Sequence, residues 1–133
     1  MTDNQPGRLG AKYEVIGPLP AVRADLPLLL RVRVLNTGAA PWPNRGARAI
    51  NLSYHWLDAR GQVVDFEGLR GILPDSLRPS AAAELTIQVE PPPRAGSYLL
   101  SLDLVEEGIG WFSQQGVAPL TTPLEVTPGP ADA

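Results

Sequence analysis

Large apolar side chains alternate with polar ones along much of this chain, at a period of two residues. The clearest run spans Ser97 to Leu104, where Tyr98, Leu100, Leu102 and Leu104 share the same parity. Successive side chains of a β-strand point to opposite faces of its sheet, so one face of this run is apolar. The run therefore predicts an antiparallel strand that is buried on one side.

Prolines and glycines divide the rest of the chain into similar runs. The chain has 15 prolines and 13 glycines, and they recur at intervals of about 8 to 15 residues, a spacing typical of β-sandwiches. No segment is predicted to form a helix of ordinary length. The predicted strands are Lys12–Ile16, Leu26–Leu35, Ala49–Leu57, Gln62–Phe66, Leu69–Leu73, Glu84–Val89, Ser97–Leu104 and Leu120–Val126.

These runs predict an all-β fold, an antiparallel β-sandwich with seven to eight strands. At 133 residues the chain has the length of one domain. We expect a flexible tail over residues 1–10, the sandwich over 11–126 and a disordered end over 127–133. The side chains predicted to face the core are Leu28, Leu30, Val32, Val34, Ile50, Leu52, Tyr54, Trp56, Leu85, Ile87, Val89, Tyr98, Leu100, Leu102, Leu104, Leu124 and Val126.

Composition narrows the classes of function. The chain has no cysteine, which excludes a disulfide scaffold and a thiolate metal site. Its net charge is -3 and its arginines are scattered, so we expect no nucleic-acid partner. Arg31 and Arg33 share a strand face that we interpret as solvated. No signal peptide and no apolar run of about 20 residues is present, so we expect no membrane insertion and a soluble chain, cytoplasmic by default.

Polar candidates for chemistry are few. His55 has outward parity on its strand, and Asp103 has the same parity on another, so a His–Asp pair is conceivable. The simpler interpretation is a surface histidine with one polar partner. Glu106 and Glu107 are expected in a solvated loop, as are Asp65 and Glu67 beside Phe66. We expect no metal and no cofactor, because one histidine without cysteine gives too few ligands.

The aromatic residues outside the strands are the stronger binding candidates. Trp42 lies between two prolines, while Trp111 and Phe112 follow a Gly-x-Gly segment. Loop tryptophans either fold back to close the end of a sandwich or remain exposed as platforms for a sugar ring or an apolar partner surface. The sequence leaves both alternatives open.

A set of segments in a fixed order carries a family resemblance. They resemble a bacterial accessory β-sandwich appended to some glycosyltransferases, methyltransferases and other proteins of surface polysaccharides. More distantly, they are similar to the immunoglobulin-like four-tryptophan domain of autophagy receptors. The segments are Asn36-Thr37-Gly38, Trp42, LSYHWLD (52–58), Gly61, LRGILP (69–74), Pro93 and GSYLLSLDLVEEGIGWF (96–112).

The resemblance covers about residues 26–126 and implies an immunoglobulin-like, non-catalytic domain. It brings no catalytic residues. Two positions depart from the usual pattern: Pro79-Ser80 stands where Pro-Gly is usual, and Gly71 stands where threonine is usual.

The leading hypothesis is a non-catalytic binding or interaction module that holds a carbohydrate or a protein. Its candidate binding residues are Trp42, Trp111, Phe112, His55, Asp103, Glu106 and Glu107. An exposed edge strand would also allow a homo-oligomer. The alternatives are a small hydrolase that uses Asp65, Glu106 or Glu107, and a structural spacer domain.

Overall fold

The computed structural model describes residues 7–129, and within them the chain forms ten β-strands and one short 3-10 helix, Phe112–Gln115. The prediction of an all-β antiparallel sandwich is confirmed. Seven strands have three or more residues, and three have two residues each. The strands are β1 Ala11–Val15, β2 Val22–Arg23, β3 Leu28–Asn36, β4 Ile50–Asp58, β5 Val63–Asp65, β6 Gly71–Ile72, β7 Ala82–Val89, β8 Gly96–Glu106, β9 Gly110–Trp111 and β10 Leu120–Thr127.

Two sheets form the layers of the sandwich. The smaller sheet has the order β1-β3-β7, and the larger has the order β2-β10-β8-β4-β5, with β6 also paired to β4 and β9 to β8. The first stretch of chain thus contributes β1 to one sheet and β2 to the other, where β2 runs parallel to β10. Two packed sheets whose strands are antiparallel except for the β2–β10 pair, with the chain crossing between them, make the fold immunoglobulin-like.

The core lies between the sheets and follows the predicted alternation. Of the 17 side chains predicted to face inward, all but three are buried, and Leu85, Tyr98 and Leu124 are partly buried against the same cluster. Burial of each such apolar side chain stabilises the fold by about 1.5–3 kcal/mol. Gly71 also faces this core: a Cβ atom there would lie 3.2 Å from Leu85 and 3.3 Å from Ile87, so the glycine lets the chain pass close to β7.

Several short elements differ from the sequence prediction. The strand predicted over residues 69–73 is reduced to β6, and β2, β9 and the 3-10 helix were not predicted. Residues 7–10 are bonded to the loop after β3, since the Gly7 and Gly10 carbonyls accept from Ala39 and Thr37 N–H at 2.6 and 3.0 Å. Residues 1–6 and 130–133, which belong to the predicted flexible tail and the predicted disordered end, lie outside the described residues.

Candidate functional site

The loop aromatics proposed as binding platforms are buried. Trp42 and Phe112 are 0% exposed and Trp111 is 5% exposed, so they are not exposed platforms, one of the two alternatives that the sequence left open. Trp42 exchanges two backbone hydrogen bonds with Leu77, each of 2.9 Å, and its ring meets Phe112 edge to face at 5.5 Å. These contacts close the end of the sandwich, which is the other alternative that the sequence left open.

His55 lies on the face of β4 that points away from the core, as its parity predicted. The expectation of a surface histidine is nevertheless wrong, because the residue is 5% exposed. Its ring stacks on Phe66 at 4.2 Å and meets Trp111 edge to face at 4.3 Å. The segment after β5 and the turn at β9 therefore fold over the outer face of the large sheet and cover it with a second aromatic layer.

Asp103, on the neighbouring strand β8, pairs with His55 under this layer. His55 Nε2 lies 2.9 Å from Asp103 Oδ2, and Nδ1 lies 2.6 Å from the Phe66 carbonyl oxygen. Asp103 also accepts hydrogen bonds from the Ser113 hydroxyl, from Ser113 N–H at 3.2 Å and from Leu104 N–H at 2.9 Å. The carboxylate thus ties β8, β4 and the 3-10 helix together.

This cluster does not have the arrangement of a hydrolytic triad. In a triad the histidine contacts the serine hydroxyl and the carboxylate orients the histidine from behind. Here Asp103 lies between the other two, and the Ser113 hydroxyl donates to the carboxylate. Both ring nitrogens of His55 face oxygen acceptors, so the ring has no free nitrogen to act as a base.

A cation–carboxylate pair extends the cluster toward the surface. Arg70 Nε donates to Glu107 Oε2 at 2.8 Å, and the Arg70 guanidinium lies 5.1 Å from the Trp111 ring centre. Asn51 also donates to Glu107 Oε2 at 2.8 Å. The hydrogen bond from Arg70 is the main reason that the pKa of Glu107 lies below its ordinary value; burial opposes this lowering, and the hydrogen bond from Asn51 adds to it. The pair fastens the segment before β6 to the end of β8.

The remaining carboxylates do not converge on a common point. Glu106 is 5% exposed and pairs with Arg8 at 3.2 Å and Arg48 at 2.9 Å, so its assignment to a solvated loop is wrong. Glu67 pairs with Arg70 at 3.2 Å. Asp65 borders an open groove of about 410 Å³, and no second carboxylate lines that groove. Within residues 7–129 no group of three His, Asp or Glu side chains is placed to hold a metal.

The edge of β7 presents an unpaired row of backbone groups to a possible partner. This strand ends the smaller sheet and pairs with β3 on one side only. A β-bulge sets its alignment: Ser80 N–H donates to the Asn36 carbonyl at 2.8 Å, and Asn36 N–H donates to the Ala81 carbonyl at 2.9 Å. A turn precedes the bulge, with Ser80 at φ 70° and Ala81 N–H bonded to the Arg78 carbonyl at 3.0 Å.

This alignment determines which backbone groups of β7 are free. Hydrogen-bonded and non-hydrogen-bonded residue pairs alternate along an antiparallel ladder. Because Asn36 is hydrogen-bonded to the bulge, the next hydrogen-bonded pair is Val34 with Ala83. Every second residue of β7 then turns its N–H and carbonyl away from β3. Among the described residues, no other segment forms a backbone hydrogen bond to that side. The residues with outward backbone groups are Ala82, Glu84, Thr86 and Gln88, and their side chains are exposed.

The other sheet edges in the described part of the chain are protected. β1 carries the charged side chains Lys12 and Glu14. β2 pairs with only Val126 and Thr127 of β10, and the part of β10 that it leaves uncovered, residues 120–125, contains Pro123. Beyond β4 the edge is formed by β5 and β6, with an irregular segment between them. Short strands, charges and irregular backbone all discourage pairing with another chain. β7 has eight residues, no proline, no lysine and a single charge at Glu84.

Part of this arrangement was missed from the sequence. The alternation predicted a strand over Glu84–Val89, and its two additional residues precede that range. The order of strands in a sheet leaves no local pattern, so the free side of β7 was not foreseen. Among the described residues no helix is long and apolar enough to cross a membrane.

No known protein-family model matches the sequence, and no curated protein matches it significantly. A solved CARDB domain from Pyrococcus furiosus is similar at 17% identity and a TM-score of 0.47, over 90% of this chain and 94% of that domain. The ASH/PapD-like domain of human CEP192 is similar at 13% identity and a TM-score of 0.35, over 100% and 92%. A family 123 glycoside hydrolase from Clostridium perfringens is similar at 13% identity and a TM-score of 0.47, over 92% of this chain and 28% of that enzyme. Likenesses at this level carry no argument about function.

Proposed function

We propose that this domain is a non-catalytic interaction module that binds an extended segment of a partner protein along β7. The observation that carries the proposal is the unpaired outer side of this eight-residue strand. Unpaired N–H and carbonyl groups in a regular row form a template for one more strand. Main-chain hydrogen bonds then supply affinity, and alternate side chains supply specificity.

The surroundings of β7 favour a peptide over other ligands. The outward side chains are small or polar, and the one charge, on Glu84, is paired with Arg31 at 3.0 Å. Leu29 is 65% exposed and lies opposite Gln88 on the outer face of the same sheet. Leu29 lies one strand inward from the edge, about 10 Å from an added strand, so the main attraction of the edge is its backbone row.

Two of the original alternatives have less support. Carbohydrate binding through Trp42, Trp111 and Phe112 is not part of this proposal, since those rings are buried. A carboxylate-dependent hydrolase would need two carboxylates facing one cleft, and Glu106 and Glu107 each face arginines. The proposal includes an accessory role beside a glycosyltransferase or methyltransferase. Only the sequence resemblance supports that role.

The test compares two variants of Thr86, the residue at the middle of the free edge. Thr86→Pro removes the outward N–H and leaves the hydrogen bonds to β3, whereas Thr86→Ala removes only the side chain. Random peptides displayed on phage are selected on the wild-type domain and then measured against both variants. We expect selected peptides to bind wild type and Thr86→Ala similarly and to lose at least about tenfold affinity for Thr86→Pro, the cost of one or two hydrogen bonds.

Urea unfolding of both variants checks that each is folded. Peptides that bind Thr86→Pro as tightly as wild type would place the binding surface elsewhere and overturn the proposal. A selection that yields only peptides without an alternating, strand-like sequence pattern would also overturn the proposal.

A further inference from the structure

We infer that the occupant of this edge is a second copy of the chain, so that two β7 strands pair antiparallel about a two-fold axis and join the two small sheets into one six-stranded sheet. The inference rests on the proposed function, because it uses the same backbone row. It goes further in naming the partner and the register.

The register follows from which residues point outward. Residues with outward backbone groups must face one another to form the closely bonded pairs of an antiparallel ladder. An axis through Thr86 satisfies this rule, and it pairs residues 83–89 of one copy with residues 89–83 of the other. Thr86 then faces Thr86 of the partner subunit, and Glu84 faces the partner's Gln88.

Charge excludes one of the other registers that obey this rule. Moving the axis by two residues to Glu84 would place two carboxylates directly opposite each other, which destabilises a strand pair. With the axis at Thr86, Glu84 meets a neutral amide and keeps its pair with Arg31, 3.0 Å away in its own sheet. The opposed threonines are a favourable cross-strand pair. In this alignment the strand is self-complementary.

The side chains on the core side also match. Leu85 would face Ile87 of the partner subunit, and Ala83 would face the partner's Val89. Leu85 is only partly buried within its own chain, whereas Ile87 and Val89 are buried. Pairing of the two edges would give Leu85 additional cover at the open side of the sandwich.

The dimer is expected to be weak. One strand pair buries less than the roughly 1,200 Å² of a standard stable interface, so association should depend on concentration. Sedimentation equilibrium over about 10 µM to 1 mM covers dissociation constants in that range. We expect wild type and Thr86→Ala to dimerise and Thr86→Pro to remain monomeric at every concentration.

A second pair of variants tests the register itself. In the proposed alignment Gln88→Lys places a lysine opposite Glu84 twice, once on each side of the axis. Gln88→Glu places a glutamate there twice. Cross-strand charge pairs are worth about 0.2–1 kcal/mol each, so we expect the dimer to tighten about two- to thirtyfold with Gln88→Lys and to weaken by a similar factor with Gln88→Glu.

The outcomes separate the two proposals. If the wild-type chain stays monomeric up to 1 mM while selected peptides still bind Thr86→Ala more tightly than Thr86→Pro, the inferred dimer is wrong. The proposed peptide-binding edge then stands. A dimer that persists in Thr86→Pro uses another surface and overturns the inference. A Thr86-dependent dimer with no difference between the two Gln88 variants rejects the register.

Discussion

At the scale of single residues, Ser80 holds the least favourable backbone conformation in the described chain. Its φ of 70° makes it the one non-glycine residue among positions 7–129 with positive φ. It occupies the turn that joins Arg78 to Ala81 and the bulge opposite Asn36. Both the turn and the bulge favour glycine at this position. The Pro-Ser departure from the Pro-Gly pattern therefore has a conformational cost.

Ser80→Gly should raise the free energy of unfolding by up to about 1 kcal/mol. A left-handed conformation costs an L-residue about 1–2 kcal/mol, and the greater freedom of glycine in the unfolded chain offsets about 0.4–1 kcal/mol of the gain. Ser80→Ala is the matched control, since it removes the hydroxyl and keeps the Cβ atom. Urea unfolding of the three proteins measures the difference. Equal stability of the glycine and alanine variants would contradict the prediction.

The alternation predicted the strand face on which a side chain lies. It did not predict which segments of the chain cover that face. His55 and Asp103 were correctly placed on the outer face, because parity depends only on the strand itself. Their burial depends on Phe66 and Trp111, which reach that face from irregular segments. The period of two carries no information about such segments, so a buried pair was interpreted as a surface histidine.

At the scale of elements, the carboxylate of Asp103 fastens the 3-10 helix that follows β9 to the large sheet. Asp103 accepts from both the hydroxyl and the N–H of Ser113, and it pairs with His55 on the other side. Asp103→Ala should lower the free energy of unfolding by about 3–5 kcal/mol, because it leaves several buried donors without an acceptor. Ser113→Ala removes one hydrogen bond and should cost about 1 kcal/mol.

Hydrogen exchange distinguishes a local effect from general destabilisation. In Ser113→Ala, amides of residues 110–116 should exchange faster than in wild type while those of β3 remain protected, because only the attachment of the helix is weakened. The Ser113 variant keeps the test usable if Asp103→Ala does not fold. Uniform loss of protection across both sheets, or a Ser113 variant as stable as wild type, would show that Asp103 does not act as a local fastening.

The long strands were predictable and the short elements were not. β3, β4 and β8 each have nine or more residues with a clear alternating face, and their bounds differ from the predictions by at most two residues. β2 and β9 have two residues each, too few for any periodicity. They form because a neighbouring strand is already in place, so the cause lies in the sheet and not in the local sequence.

At the scale of the whole molecule, the two sheets are joined by a polar contact as well as by the core. Tyr13, on β1 of the small sheet, reaches across the sandwich, and its hydroxyl accepts the N–H of Leu104 on β8 at 3.1 Å. The order of strands that makes this contact possible could not be predicted from the sequence. Nothing in the alternation shows which strands share a sheet, so both this contact and the free side of β7 appear only in the structure.

Tyr13→Phe should lower the free energy of unfolding at pH 7 by about 0.5–1.5 kcal/mol, the usual net contribution of one hydrogen bond. The loss is limited because Leu104 N–H also donates to Asp103 Oδ1 at 2.9 Å. The phenylalanine keeps the ring, so packing between the sheets is unchanged. Urea unfolding at pH 7 measures this difference, and a variant as stable as wild type would mean that the hydroxyl contributes nothing to the joining of the sheets.

The same pair of proteins should behave oppositely in alkali. Burial, and to a lesser degree the charge of Asp103, raises the pKa of Tyr13 above its ordinary value of 10.0, while the hydrogen bond from Leu104 lowers it less. Above pH 10 the unfolded tyrosine ionises and the folded one does not, so wild-type stability falls with pH, by about 1.4 kcal/mol at pH 11. Tyr13→Phe lacks this loss, and its deficit at pH 7 should therefore shrink and disappear near pH 11. A constant difference between the two proteins from pH 7 to pH 11 would mean that the Tyr13 hydroxyl ionises as readily in the folded chain as in the unfolded one, and that it is not enclosed between the sheets.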